Sequence, residues 1–169
     1  MKTKTERRNN ILLYSIKGML CILFICFVYA CQPKDIFFDY HTFNKMQWGR
    51  KDTVCFKRQF EDSLKRYPII LETRKDVKYP YQDLWIEFQI IENDSVCIST
   101  DTIHLHLNDL NGKPIGTGFG TLYQQTDTID PNFRALNSSE KTFKIRHLMS
   151  DEYLYGISDI GLHVDMDQK

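Results

Sequence analysis

The sequence predicts an all-β protein, built as a single antiparallel β-sandwich of about seven or eight strands. Apolar and polar residues alternate with a period of two over much of residues 51–169, which is typical of strands with one face in a core. Short turn signals rich in Gly, Pro, Asn and Asp separate these segments. No segment has a convincing amphipathic helical period, and short strands without intervening helices favour a sandwich.

The predicted strands follow one another along the chain, and each is recognised by its own alternation. In the clearest, 84–90, four apolar residues at even positions share one face. In 103–107 the apolar residues are expected to point inward, with His104 and His106 pointing outward. The predicted set is 54–60, 69–74, 84–90, 96–98, 103–107, 143–147 and 160–164.

The segments between the strands carry turn residues. Pro80 fixes its own φ and disfavours helix at its neighbour, so 79–83 is predicted to be a turn. Residues 108–120 form a Gly-rich connection, and 121–139 are predicted to be irregular or weakly helical. The leader 31–50 is too aromatic for a free linker, so we expect part of it to pack on the domain or form an edge strand.

Residues 1–30 have the composition of a secretory signal peptide. Five basic residues and one acidic residue precede a run of twelve uncharged, mainly apolar residues at 19–30. As a helix, twelve residues span roughly 18 Å, well short of the ~30 Å hydrocarbon core of a bilayer. A signal peptide that is removed is therefore favoured over a permanent transmembrane helix.

The end of this segment predicts lipidation at Cys31. Val28-Tyr29-Ala30-Cys31 is similar to a bacterial lipobox, with an aliphatic residue three positions before the cysteine and a small residue directly before it. Stable anchoring needs more than one acyl chain, which a triacylated cysteine provides. The alternative is a secreted protein with a free Cys31. Lipidation implies a location in the cell envelope outside the cytoplasm, and we expect the outer membrane.

Composition limits the partners and the covalent links. Residues 31–169 have the length of one domain and carry 17 basic and 21 acidic residues, which excludes the charge signature of nucleic-acid binding. Cys55 and Cys97 remain after Cys31 is used for lipid. They could pair in an oxidising compartment, although a single pair does not make a disulfide scaffold.

Candidate metal and phosphate sites are weak. His104 and His106 share a strand face, but the further zinc ligands could only be guessed as Asp101 or Asp109. Two solvent-facing histidines are the favoured interpretation, so neither a metal nor a cofactor is predicted. The glycine segment 116–120 lacks the GK[ST] ending of a phosphate-binding loop, which favours a close-packed turn.

No catalytic centre is predicted, because no Ser or Cys has a visible base and no carboxylate pair stands out. The protein is therefore expected not to be an enzyme, and no small-molecule substrate is evident. Aromatic residues are the remaining candidates, since exposed rings stack on sugars or anchor protein interfaces. For any single ring, packing on the core or a sheet edge is the simpler interpretation.

Several longer motifs resemble the gliding-motility lipoprotein family GldH of Bacteroidetes. GKPIGTGFGTLY at 112–123 is similar to the family's GKxxGxGFGDLY, and GISDIGL at 156–162 is similar to GISDVGLR. YPYQDLW at 79–85 resembles YPYxNLW. The lipobox cysteine, Trp48 and Asp101-Thr102-Ile103 occur in the family's order.

This resemblance covers nearly all of the mature chain. Two positions depart from it, with Thr121 in place of Asp and Asp83 in place of Asn. It implies a small β-rich lipoprotein associated with the gliding apparatus, whose neighbours include the type IX secretion machinery and which is not known as an enzyme. The family also occurs in Bacteroidetes that do not glide, and it supplies no catalytic or ligand residues.

We therefore interpret the protein as a membrane-anchored, non-catalytic component of the gliding apparatus, with a link to type IX secretion. Its expected partners are the membrane, through the N-terminal lipid, and other envelope proteins. The alternative is an envelope lipoprotein whose sandwich binds glycans. The predicted contact residues lie in the 79–85 turn and the 112–123 loop: Tyr79, Tyr81, Trp85, Phe119 and Tyr123.

The tripeptide Asp-Ser/Thr-apolar occurs five times in the mature chain. It is similar to the O-glycosylation acceptor sequence of exported Bacteroidetes proteins, and chance supplies roughly one such match in this composition. Turn-to-strand junctions also favour this tripeptide, which explains part of the excess. The predicted acceptors are Thr53, Ser63, Ser95, Thr102 and Thr128.

Overall fold

The computed structural model describes residues 37–60 and 65–164, all within the compact unit Asp35–Lys169. These residues form strands and their connections, with one short 3-10 turn at Asn44–Met46. The predicted signal peptide, Cys31 and Ser63 lie outside the described residues. Within the two described ranges, no helix combines the length and apolar character needed to cross a bilayer.

The strands of the described residues pair antiparallel in three sheets. Their bounds are β1 Phe37–Thr42, β2 Gln47–Gly49, β3 Val54–Gln59, β4 Ile69–Asp76, β5 Asp83–Glu92, β6 Val96–His106, β7 Thr117–Phe119, β8 Leu122–Asp130, β9 Glu140–His147, β10 Tyr153–Tyr155 and β11 Ile157–Val164. One sheet has the order β1-β11-β4-β8-β7 and another the order β3-β9-β5-β6, while β10 pairs with β2 alone.

The two larger sheets bury their apolar faces in one core. Leu84, Ile86 and Phe88 of β5 are buried at alternate positions, as the period-two pattern predicts. Leu71 and Leu162 contribute from the five-stranded sheet to the same cluster. Full burial of each such side chain stabilises the fold by about 1.5–3 kcal/mol. The predicted antiparallel β-sandwich is confirmed, with eleven strands among the described residues instead of seven or eight.

The aromatic leader supplies an edge strand, as its composition predicts. β1 pairs with β11 and is the outer strand of the five-stranded sheet, with Phe37 opposite Val164. Trp48 of β2 is fully buried, and its indole N–H donates to the Asp52 carbonyl at 3.0 Å. Residues 37–49 therefore belong to the folded domain.

Two predicted segments differ from the structure. The segments 96–98 and 103–107 are predicted as separate strands, but 96–106 form the single strand β6, and residue 107 lies just beyond it. β6 pairs along β5 with a register shift between Ile90 and Ile91. The prediction of irregular or weakly helical structure at 121–139 is wrong for β8. β8 has no fully buried side chain, so the apolar alternation that reveals a strand is missing from its sequence.

The two ends of the sandwich are defined by the strands that begin and end there. At one end, called here the Phe37 end, the chain enters beside Val164, whose carbonyl accepts an N–H from Arg58 of β3 at 2.9 Å. At the other, called the hairpin end, β4 ends at Asp76 opposite Leu122, where β8 begins. β9 begins at the Phe37 end, and the end of β5 and the start of β6 lie beside that point. β5 therefore begins, and β6 ends, at the hairpin end.

Candidate functional site

The two segments predicted to form a contact surface meet at the hairpin end. The backbone N–H of Leu107 donates to the carbonyl of Gln82 at 2.8 Å, which joins the end of β6 to the 79–85 turn. The N–H of Ile115 donates to the Leu107 carbonyl at 2.9 Å, which joins the 112–123 loop to the same point. Segments about thirty residues apart in sequence are thus held on one surface.

This end exposes large apolar side chains. Phe119, the last residue of β7, is 95% exposed, and Leu110 is 89% exposed in the preceding loop. A shallow groove of about 490 Å³ runs beside the hairpin, between Arg74 and Phe119. Further exposed apolar residues of this end are Val77, Ile115 and Leu122. Exposed apolar groups gathered in this way are typical of interaction surfaces.

The β7–β8 hairpin owes its shape to close-packed glycines. Gly118 lies opposite Tyr123, and a Cβ on Gly118 would approach Tyr123 Cδ1 to 2.5 Å. A Cβ on Gly116, where φ is +101°, would approach the carbonyl oxygen of Gln124 to 2.2 Å. The glycine segment is therefore a close-packed turn, as its sequence predicts. The half-buried Tyr123 ring is held against Gly118, whereas Phe119 projects into solvent.

Trp85 lies on the outer face of the four-stranded sheet, where it is 42% exposed. Its ring stacks on that of His104, with centroids 4.0 Å apart and planes 5° from parallel. Two residues further along β5, Glu87 accepts two N–H donors of Arg146 at 2.7 and 3.0 Å. The outer face thus combines an aromatic ring with fixed charged groups near the hairpin end.

Two tyrosines of the 79–85 turn are less available than the sequence suggests. Tyr79 is only 3% exposed, and its hydroxyl donates to the Asp83 carbonyl at 3.0 Å. Burial raises the pKa of Tyr79 far above its ordinary value. Its ring belongs to the core and is not a contact residue, which corrects the prediction. Tyr81 is half-buried, and its hydroxyl donates to Asp151 at 2.7 Å.

The two histidines of β6 point outward, as the alternation predicts, and share a partner that sequence analysis missed. Asp83 Oδ1 lies 2.7 Å from His106 Nδ1 and 3.0 Å from His104 Nε2. Desolvation raises the pKa of Asp83, but the hydrogen bonds from His106 and His104 outweigh it and hold the pKa below its ordinary value. The guessed partners, Asp101 and Asp109, do not occupy this position.

The predicted glycosylation acceptors within the described residues are on the surface. Thr53 and Ser95 are exposed immediately before β3 and β6, at turn-to-strand junctions. Thr102 and Thr128 are exposed within β6 and β8, so a junction does not explain their tripeptides. All four residues therefore lie at the surface of the folded domain.

The two remaining cysteines are free and exposed. Cys55 is on β3 and Cys97 on β6, the two outer strands of the four-stranded sheet. Three strand spacings of about 4.8 Å separate them by roughly 14 Å, whereas a disulfide requires Cα atoms within about 7 Å. The bridge left open by the sequence therefore cannot form within one folded domain.

Comparison with known proteins identifies one matching family and two similar proteins. A family model described as GldH lipoprotein matches residues 35–164. The "Gliding motility lipoprotein GldH" of Flavobacterium johnsoniae is 22% identical over 151 residues, which cover 86% of this chain and 94% of that protein. The "Gliding motility lipoprotein GldH homolog" of Christiangramia forsetii is 24% identical over 143 residues, covering 80% and 86%.

Solved structures give a weaker likeness. Dimeric latent PorU from Porphyromonas gingivalis has a TM-score of 0.34 and 9% identity, over 81% of this chain and 14% of that chain. The VP2 subviral particle of infectious bursal disease virus has a TM-score of 0.38 and 14% identity, over 80% and 34%. Both TM-scores are below 0.5, so neither likeness bears on function.

Proposed function

Because the chain belongs to the GldH lipoprotein family, we propose that it is a non-catalytic component of a gliding-motility apparatus, linked to type IX secretion. The observation that carries the proposal is the family match, which spans the whole described domain. Two similar proteins that share nearly their full length with this chain bear the gliding-motility name. The proposed anchor is the lipid on Cys31, in the outer membrane.

The hairpin end is the proposed contact surface for other envelope proteins. The chain joins the sandwich at the Phe37 end, and β4 runs from that end to the hairpin end over seven residue steps, or about 23 Å. The contact surface is therefore remote from the point where the lipid-bearing segment joins. Its most exposed apolar groups, Phe119 and Leu110, are those expected to anchor a partner.

The test is crosslinking of the lipidated protein in native cells, followed by affinity purification and mass spectrometry. We expect recovery of gliding or type IX secretion components with the unaltered protein and their loss with Cys31→Ala. Phe119→Ser combined with Leu110→Ser should also lose them, because the two substitutions remove the proposed anchoring groups. The variant should still fold, because both side chains are exposed and contribute little to the core. Tyr81→Ala combined with Trp85→Ala tests the 79–85 turn in the same way.

Leu136→Ser is the matched control. Leu136 is 77% exposed, as an apolar group comparable to Leu110, but it lies between β8 and β9 near the Phe37 end. Its substitution should leave the crosslinked set unchanged. Recovery of only bulk lipoproteins with the unaltered chain would contradict the proposal, and equal loss in all variants would point to an unfolded domain, which circular dichroism detects.

A glycan-binding module is the second candidate, favoured by one observation. Trp85 presents a partly exposed ring on the outer face of the four-stranded sheet, beside the charged pair of Glu87 and Arg146. Aromatic rings on such faces stack on sugars. A glycan array probed with the full chain in detergent distinguishes the candidates: binding that Trp85→Ala abolishes and Phe119→Ser spares would favour the glycan reading.

A further inference from the structure

Three potential metal ligands converge on the outer face of the four-stranded sheet. In the antiparallel register of β5 and β6, Asp83 lies opposite His106, and Trp85 lies opposite His104. Asp83 therefore faces one histidine directly and the other diagonally, within reach of both side chains. The positions of all three side chains are set by paired strands, which are more rigid supports than a loop.

The distances suit a single small ion. Asp83 Oδ1 lies 2.7 Å from His106 Nδ1 and 3.0 Å from His104 Nε2, and the three atoms all lie within 4.8 Å of one another. Zinc bonds of about 2.0–2.1 Å in a tetrahedron hold neighbouring ligand atoms roughly 3.3 Å apart. Side-chain rotations that open these two contacts by about 0.6 and 0.3 Å, and that bring the two histidine nitrogens to the same spacing, would therefore admit an ion.

We propose that Asp83, His104 and His106 form a binding site for a divalent transition-metal ion. Two imidazoles and one carboxylate are the ligand chemistry of Zn²⁺ and Cu²⁺, whereas Mg²⁺ and Ca²⁺ prefer all-oxygen sites. The three side chains are 34%, 31% and 61% exposed in that order, so one side of the ion faces solvent. A water molecule completes the tetrahedron.

Neighbouring acidic groups are engaged elsewhere. Glu87, the next outward-facing acid of β5, is held by Arg146. Asp109 Oδ1 accepts the backbone N–H groups of Asn111 and Lys113, both at 2.8 Å, which uses it in a turn. These contacts leave the carboxylate of Asp83 as the anionic ligand. The Trp85 ring, stacked on His104, limits rotation of that imidazole and so prepares the site.

Isothermal titration of the full chain in detergent with ZnCl₂ tests the site. We expect one ion per chain and at least about tenfold weaker affinity in Asp83→Asn and in His106→Ala. Asp83→Asn is the informative variant, because its amide oxygen still accepts hydrogen bonds from both histidines while the anionic ligand is lost. His41→Ala, an exposed histidine of β1 in the other sheet, should leave the affinity unchanged.

Tryptophan fluorescence gives a second readout. Trp85 and the buried Trp48 are the two tryptophans of the sequence, and only Trp85 contacts a proposed ligand. Zn²⁺ should change the emission of the unaltered chain, and Trp85→Phe should abolish that change while it retains the calorimetric binding. Failure of the chain to bind Zn²⁺, equal binding by Asp83→Asn, or equal binding of Mg²⁺ would each overturn the proposal.

Discussion

The rings of Trp85 and His104 stack across neighbouring strands, with centroids 4.0 Å apart and planes 5° from parallel. The pair covers one face of each ring on an otherwise solvated sheet surface, and Trp85 remains 42% exposed. Trp48, in contrast, is a leader residue whose side chain is fully buried in the core. The two tryptophans therefore differ in what they contribute to stability.

Trp85→Ala should lower the free energy of unfolding by about 1–2 kcal/mol, because it removes one stacked pair and a ring that is only partly buried, and it leaves no cavity in the core. Trp48→Ala should lower it by about 3–5 kcal/mol, since it leaves a cavity in the core. Urea denaturation followed by circular dichroism measures both. A loss with Trp85→Ala as large as that with Trp48→Ala would contradict a mainly surface role for Trp85.

Strands with one buried face could be predicted from the sequence, and strands without a buried face could not. β5 alternates cleanly because Leu84, Ile86 and Phe88 fill the core. β8 escaped prediction because it lies between β4 and the three-residue β7, where its side chains are only half-buried or exposed. Pairing with β4 forms this strand, and pairing leaves no signal in the sequence of β8 alone.

The register between strands was equally hidden. The outward position of His104 and His106 follows from alternation, but their partner Asp83 follows from the pairing of β5 with β6. The Asn93-Asp94 turn signals a hairpin, yet the register shift between Ile90 and Ile91 alters which residues face each other. A single-strand pattern therefore identifies two members of the cluster and misses the third.

The Tyr40 ring packs directly against Gly161, which has no side chain. Gly161→Ala should therefore destabilise the domain by about 1–3 kcal/mol. The two residues face each other across β1 and β11, and a Cβ on Gly161 would approach Tyr40 Cε1 to 2.4 Å. The displaced ring would lose hydroxyl contacts with Glu72 and with Arg74, the latter at 2.7 Å. Urea denaturation measures the loss.

A double-mutant cycle with Tyr40→Ala identifies the cause. If the ring is what excludes the methyl group, Gly161→Ala should cost much less in the Tyr40→Ala background than in the unaltered protein. Equal costs in the two backgrounds would mean that the backbone of β11, and not the ring, requires glycine. Gly161 has no positive φ, so backbone strain does not compete with the steric explanation.

The mature protein from native cells should carry hexose-type mass increments at one or more of its Asp-Ser/Thr-apolar sites. The hydroxyls of Thr53, Ser95, Thr102 and Thr128 are exposed, as modification of a folded domain requires. Intact-mass spectrometry measures the increments, and Thr→Val at 102 and 128 separates the mid-strand sites from the junction sites. A mass equal to that of the lipidated polypeptide alone would refute the prediction.

Acid should destabilise the domain through His147 before its carboxylates protonate. His147 is 1% exposed, and neither ring nitrogen has a well-formed hydrogen bond to a described residue. Desolvation lowers its pKa from 6.5, and the nearby backbone of Trp48, with Asp151 and Asp52, only partly opposes the effect. Arg50 adds to the lowering. The native state therefore keeps this ring neutral at a pH where the unfolded chain is already protonated.

The sign of the pH dependence follows from that difference. Above about pH 6.5 the ring is neutral in both states, and below it the unfolded state binds the extra proton, so stability falls as the pH drops. We expect the midpoint of urea unfolding to decrease from about pH 7.5 to 5.5, and His147→Leu to flatten that decrease. His41→Ala removes an exposed histidine and should leave the slope as it is. A slope unchanged by His147→Leu would show that another group controls stability in this range.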